Sequence, residues 1–239
     1  MNSGTDDSTE IITYNYRFTL EDGVEREFKV KLDKRTLRLI QTGNTADPKW
    51  AELKNFKCKN CSLKEDEHKF CPIAVNLVDL IDFFKSSIAY EEADVLIETD
   101  EREYKKHTSL QAGLSSLIGI YMVTSGCPIM EKLKPMVRHH LPFATLEETR
   151  YRVTSMYMLA QYFLHKRGKK PDWEFKELIN IYEDIRIVNK NFCNKLTNIG
   201  VEDASINALV RLDVFADSVP FSINENMLEE IELLFNAYF

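Results

Sequence analysis

The chain lacks most of the patterns by which a sequence announces its chemistry. It has no glycine-rich phosphate loop, no His-Glu-x-x-His motif and no nucleophile elbow, which removes the familiar nucleotide-binding, zinc-protease and α/β-hydrolase signatures. It does not carry the two Glu-x-x-His pairs that a di-metal carboxylate bundle requires. It also lacks a surplus of positive charge. With 31 Lys and Arg against 38 Asp and Glu, the net charge is −7. That argues against general nucleic-acid binding, which depends on basic residues displacing counterions from phosphates. There is no basic-then-apolar start, so no secretory signal is read. The most apolar window, Leu110 to Met130, is interrupted by Gln111, Ser115, Ser116, Gly119, Ser125, Gly126 and Pro128. A membrane span needs about 20 mostly apolar residues, so none is expected, and a cytoplasmic location is. No internal repeat or low-complexity linker divides the 239 residues.

What is present reads as strands first and helices afterwards. Residues 1–10 are polar and form an expected disordered tail. Ile12, Tyr14, Tyr16, Phe18 and Leu20 alternate along a strand, Glu21-Asp22-Gly23 turns it, and Phe28, Val30 and Leu32 alternate again. A third strand is expected over Thr36 to Ile40. Asp94 to Glu98 and Arg102 to His107 make a second hairpin, for a sheet of roughly five strands. Pro48 to Lys54 reads as a short helix, with Trp50 and Leu53 turned inward. Pro72 opens another, with Ile73, Asn76, Leu77, Leu80, Ile81 and Phe84 as its inner stripe.

Beyond residue 107 the pattern is helical. Capping boxes at Thr108 with Gln111 and at Thr145 with Glu148 start two helices, and a short helix fits Ile129 to His140. Gly168 stops the Thr145 helix. Asp172 caps a segment in which Phe175, Leu178, Tyr182, Ile185, Val188, Phe192 and Leu196 recur at helical spacing. Asp203 begins a helix to about Val219, and Asn224 or Asn226 begins a last one. Its apolar end, Leu233 to Phe239, is expected to dock. The expected class is therefore α+β: a β-rich part over 11–107, with a cysteine-rich loop at 58–71, and an all-helical part over 108–239.

The cysteines carry the chemistry. Cys58-Lys-Asn-Cys61 is followed ten residues later by Cys71-Pro72, so three thiols fall within fourteen residues. Two cysteines separated by two residues can grip a metal from one turn, and zinc completes a tetrahedron with four N or S ligands. The fourth ligand is Cys127, which like Cys71 precedes a proline at a helix start, or alternatively His68, which would close a local Cys-x2-Cys-x6-His-x2-Cys knuckle. Such a zinc would be structural. An iron–sulfur cluster is the second cofactor candidate. Thiol redox chemistry at Cys58 and Cys61, or plain free thiols in a surface loop, are the remaining readings. If the fourth position were open, the metal could be catalytic, with Glu65 or Glu67 as base. Cys193 reads as filler on a helix face.

Lys132, Lys134, Arg138, His139, His140, Arg150 and Arg152 form the only basic concentration of note. Arg138, His139, His140 and Arg150 are candidate contacts for a small anion beside the helix start at Thr145, against the plainer reading of a solvated face paired with Glu147 and Glu148. Ala112, Gly113, Ser116 and Gly119 put small residues on one helix, suited to close packing or, less simply, to a ligand groove.

The stretches His107-Thr-Ser-Leu-Gln, Val123-Thr-Ser-Gly-Cys127-Pro and Leu141-Pro-Phe resemble an uncharacterised bacterial protein family. The resemblance covers most of the chain, including the Cys-x2-Cys segment. It implies a bacterial cytoplasmic protein and transfers no catalytic residue. Together these readings point to a metal-binding module for a protein partner or a small anionic ligand.

Overall fold

The structure is a computed structural model that describes residues 10–41, 49–224 and 228–239. The expected tail over 1–9, the loop over 42–47, the Pro48 helix start and the Asn226 start lie outside them. Strands β1 (Ile11–Leu20) and β2 (Glu25–Asp33) form the first hairpin, and β3 (Glu92–Glu98) with β4 (Glu103–Ser109) the second. The turn of the first needs Gly23, whose φ of 82° is a left-handed value. The two hairpins join side by side through β1 and β3, giving the antiparallel order β2-β1-β3-β4.

Alternation decides which face is buried. Tyr14, Tyr16 and Phe18, then Phe28, Val30 and Leu32, then Ala93, Val95 and Ile97 all point into the core. Their neighbours in sequence face outward, where Arg17 pairs with Glu98 at 3.5 Å.

The sheet has four strands, not the five expected. Thr36 to Ile40 forms no strand; it pairs with β2 through one bridge, between Leu32 and Leu39, after a turn held on Asp33. Leu37 sits at φ 54°, and a chain that turns into the left-handed region there cannot continue an extended ladder.

The helices are α1 (Leu53–Phe56), α2 (Pro72–Asn76), α3 (Val78–Phe83), α4 (Leu110–Thr124), α5 (Lys134–Arg138), α6 (Leu146–Lys166), α7 (Lys176–Asn198), α8 (Asp203–Asn224) and α9 (Glu229–Glu232). The helix expected from Pro72 is interrupted at Leu77, although Ile73, Leu77, Leu80, Ile81 and Phe84 are buried as read. Its interruption coincides with Asn76, whose carboxamide donates 2.7 Å to the Pro72 carbonyl. The Ile129 to His140 helix likewise resolves into a 3-10 turn (Met130–Leu133) and α5.

Thr108 does not cap α4. It belongs to β4, and Ser109 takes the cap position without a side-chain bond. The backbone N–H groups of Leu110 and Gln111 are instead met by the carbonyls of Glu91 and Ala89. The Thr145 box on α6 forms in full: Thr145 Oγ1 accepts from the Glu148 N–H at 3.1 Å, and Glu148 accepts from the Thr145 N–H at 2.8 Å. Asp172 accepts from the Glu177 N–H at 2.8 Å and so caps α7 from three residues before its left-handed Phe175.

Helix α4 lies directly on the sheet. A Cβ on Gly113 would stand 2.9 Å from both Phe18 and Val95, so only glycine permits this approach. Behind α4 pack α8 and then α7, and one hydrophobic core runs from the sheet through all three. The C-terminal end is not docked as expected: Leu234, Tyr238 and Phe239 are 74%, 83% and 84% exposed.

Candidate functional site: two cavities along one helix

Residues 57–71 form an irregular segment between α1 and α2. Its ends are clamped together by backbone bonds, Leu53 N–H to Lys69 O and Cys71 N–H to Ala51 O, both 2.9 Å. Its tip is fastened to α7: Asn60 donates to the Asp184 carboxylate at 2.9 Å and to the Asp184 carbonyl at 3.1 Å. A charged segment without helical period is thereby held in place, with Cys58 and Cys71 buried and Cys61 half-buried.

Cys58, Cys61, Cys71 and Cys127 line one small cavity of about 20 Å³. The rest of its wall is apolar, with Leu53, Phe56, Ile73, Val188 and Phe192 among its residues. Three separate stretches of chain supply the thiols. Cys71 and Cys127 arrive in the same local setting, Cys-Pro-Ile at the start of a helical turn. Each sulfur is approached by two backbone N–H groups, from Ile73 and Ala74 for Cys71 and from Ile129 and Met130 for Cys127. Cys58 Sγ accepts a hydrogen bond from the Asn191 carboxamide of α7 at 3.3 Å.

Burial dominates the electrostatics. It pushes the Cys58 thiol up to about 12 and Cys71 up to about 11, and it raises Cys127. The neighbouring sulfurs add to this and the amide donors oppose it. A bound cation reverses the sign of this balance, because it stabilises thiolates outright. Among the described residues, no group of three or more His, Cys, Asp or Glu side chains stands in a geometry that would already hold a metal ion. His68 is exposed and lies outside the cavity wall. Glu65 and Glu67 are exposed too, engaged with Lys57 at 3.6 Å and Lys64 at 2.8 Å. Cys193 is well apart, on the other side of α7, near the Ile206 carbonyl.

The second cavity, of about 190 Å³, opens between α4, α5, α7 and α8. Ala112, Ser116 and Gly119 of α4 form one wall, so the small-residue stripe clears space there besides admitting the sheet at Gly113. Two polar groupings meet the apolar lining. At one, Tyr16 hydroxyl lies 2.6 Å from His140 Nε2 and 3.0 Å from Ser116 Oγ, with Ser116 3.2 Å from His140. Burial, reinforced by the Arg152 charge, depresses the His140 imidazole to about 3. At the other stands Arg152, whose Nη2 donates to the Met136 and His139 carbonyls at 2.9 and 2.8 Å.

Arg138, His139 and His140 line a third, more polar recess with Lys34, Arg102 and Arg152, facing the acids Asp100 and Glu101; Arg150 is not on its wall. Sequence reasoning took Tyr182 only as part of a helix face and did not single out Asn189. The signal available was Asn189, a carboxamide at a buried phase of an otherwise apolar stripe.

No helix among the described residues is long and apolar enough to cross a membrane. No curated protein and no solved structure gives a significant match to the chain. Residues 12–236, nearly the whole chain and spanning both cavities, match a domain of unknown function, and the protein therefore belongs to the DUF6901 family.

Proposed function

We propose that the chain is a non-enzymatic, metal-stapled binding module, in which one structural Zn2+ held by Cys58, Cys61, Cys71 and Cys127 ties the irregular segment to the helical part. The protein would act by binding a protein partner or a small anionic ligand. The observation that carries this reading is that four thiols from three separate stretches line one cavity. Neutral thiols repel one another little and need not converge on a point. Rotation about χ1 moves a sulfur from one staggered well to another, and four thiolates around zinc at about 2.3 Å would draw inward. The N–H groups aimed at Cys71 and Cys127 suit thiolates better than thiols. Five free cysteines fit a reducing, cytoplasmic setting.

The enzyme reading requires an exchangeable fourth position facing a solvent-filled pocket. The apolar wall of the thiol cavity and the outward placement of Glu65 and Glu67 speak against it. An iron–sulfur cluster uses the same thiols and differs in colour.

Elemental analysis with a UV–visible spectrum, on protein purified without oxygen or chelator, tests this directly. One zinc per chain and no colour is the expected result. Iron with broad absorbance near 400 nm would replace zinc by a cluster, and metal-free protein would end the proposal. Cys58→Ser is expected to release the metal and lower the melting temperature; a variant with unchanged metal and unchanged melting would sink it.

A further inference from the structure

The 190 Å³ cavity shares no lining residue with the thiol cavity, and three features of it are unexplained by packing. Arg152 is partly buried and among the described residues has no carboxylate in ion-pair contact; its bonds go to two carbonyls from one nitrogen, and Glu148 of the same helix acts on it only through space. A partly desolvated guanidinium with no carboxylate in contact is costly, and proteins tend to keep such charges paired. Tyr182 is only 4% exposed and lies in the field of that charge, with no hydrogen bond to its hydroxyl among the described residues. Asn189 is 2% exposed and its carboxamide oxygen has no partner there either. All three line the same chamber. An unsatisfied buried amide calls for an explanation, and a ligand supplies one.

The spacing along α7 gives the ligand its shape. Tyr182 and Asn189 are seven residues apart on one helix, which places them about 10 Å apart along its axis. The wall between them is apolar: Ile185 of α7, and Ile120, Val123 and Leu212 opposite. We propose that this chamber binds an amphiphilic monocarboxylate. Its carboxylate would be held by Arg152 and Tyr182, its apolar body by the wall, and a hydroxyl or N–H at the far end by Asn189. A chamber of about 150 Å³ holds a benzene ring, so the enclosed body is roughly an aromatic ring with a short linker. A single guanidinium favours a monoanion over a phosphate dianion, whose second charge would stay uncompensated in an apolar wall. Arg211 lines the chamber too, but it is exposed and stacked over Phe215 at 5.3 Å, which leaves it at the mouth. This assignment deepens the small-anion arm of the proposed function and is independent of the metal.

The test is calorimetric titration of the full chain with 3-(4-hydroxyphenyl)propanoate, its alcohol analogue lacking the carboxylate, 3-phenylpropanoate, and 4-hydroxyphenethyl phosphate, with zinc content measured on the same samples. The hydroxy acid is expected to bind one to one. Loss of the carboxylate should weaken it about tenfold or more, and loss of the phenol about fivefold. Asn189→Leu should abolish the discrimination for the phenol while melting above the parent protein, since it removes an orphaned amide. Arg152→Met should abolish the discrimination for the carboxylate; should that variant not fold, the phenol discrimination in Asn189→Leu decides. Equal binding of acid and alcohol, tighter binding of the phosphate, or no saturation by any compound would overturn the proposal. Failure of the zinc proposal would show in metal content alone and leave these ratios untouched.

Discussion

The two cavities along α7 differ in what they leave unsatisfied. Around the thiol cavity the polar groups are donors, the amides behind Cys71 and Cys127 and the carboxamide of Asn191, and the sulfurs are held neutral by burial. Around the larger one, among the described residues, stand a guanidinium with no carboxylate in contact and an amide oxygen with no donor. Successive faces of one helix thus contribute to both: Val188 and Phe192 to the first, Tyr182, Ile185 and Asn189 to the second. The difference teaches that N–H donors around sulfurs favour thiolates, which under the proposed function a cation would neutralise, whereas a partly buried guanidinium with no carboxylate in contact favours an anion. It also separates the expected effects on stability, because the first cavity gains by being closed and the second is kept open at a cost.

The largest effect should come from the first cavity. Cys127→Ser removes the proposed ligand most distant in sequence, and with structural zinc contributing on the order of 10 kcal/mol in small domains, a loss of several kcal/mol and of the metal is expected. Chemical denaturation with and without a zinc-selective chelator would measure it. A loss under about 1 kcal/mol, the scale of an ordinary surface change, would erase the contrast between the cavities.

The second cavity should respond to pH through His140. Its folded value is near 3 and an unfolded histidine sits near 6.5. Above the unfolded value neither state holds the proton. As the pH falls from about 6.5 toward 3, the unfolded chain takes up a proton that the folded one refuses, so stability drops by up to about 1.4 kcal/mol per unit. Denaturation at pH 7, 6, 5 and 4 in parallel with His140→Gln should show a shallower slope in the variant. Identical slopes would place the acid sensitivity elsewhere.

Gly113→Ala serves as a control outside both cavities. The added methyl meets Phe18 and Val95 at 2.9 Å, and overpacking of this kind costs about 1–3 kcal/mol. Stability should fall while zinc content and ligand selectivity do not; a coupled loss of either would mean that the cavities depend on the sheet contact. The smallest effect is a gain. Asn189→Leu should stabilise by up to about 1 kcal/mol, because an unsatisfied buried polar group is replaced by an apolar one of similar size, read as a modest rise in melting temperature.

The fold was legible where pattern and capping agreed. Alternation at Tyr14, Tyr16 and Phe18 gave β1 its inner face, Asp22-Gly23 gave the turn, and Thr145 with Glu148 gave the start of α6. It was illegible where a tertiary bond displaced a local one. Thr108 looks like a cap, yet the amides it would have served find Glu91 and Ala89 across the chain. Leu37 and Leu39 alternate like a strand, but a left-handed Leu37 breaks the ladder. At the candidate site, the spacing of Cys58, Cys61 and Cys71 and the repeated Cys-Pro setting of Cys127 suggested ligands to one metal; the structure places the four on one cavity wall without a ready-made metal geometry among the described residues. Nothing in the spacing could show that Asn191 and Asn189, two residues apart, serve different cavities.

The order β2-β1-β3-β4 has a consequence in time. Each hairpin can close on its own within microseconds, but β1 gains its second neighbour only when β3 arrives from the far end of the long connection between Asp33 and Glu92. Contact order therefore predicts that the joining of the two hairpins is slower than the closing of either, at a rate set by how far the intervening segment lets their ends wander. That segment holds Cys58, Cys61 and Cys71. Anything that gathers these three early would shorten the tether between the hairpins and is expected to hasten their meeting.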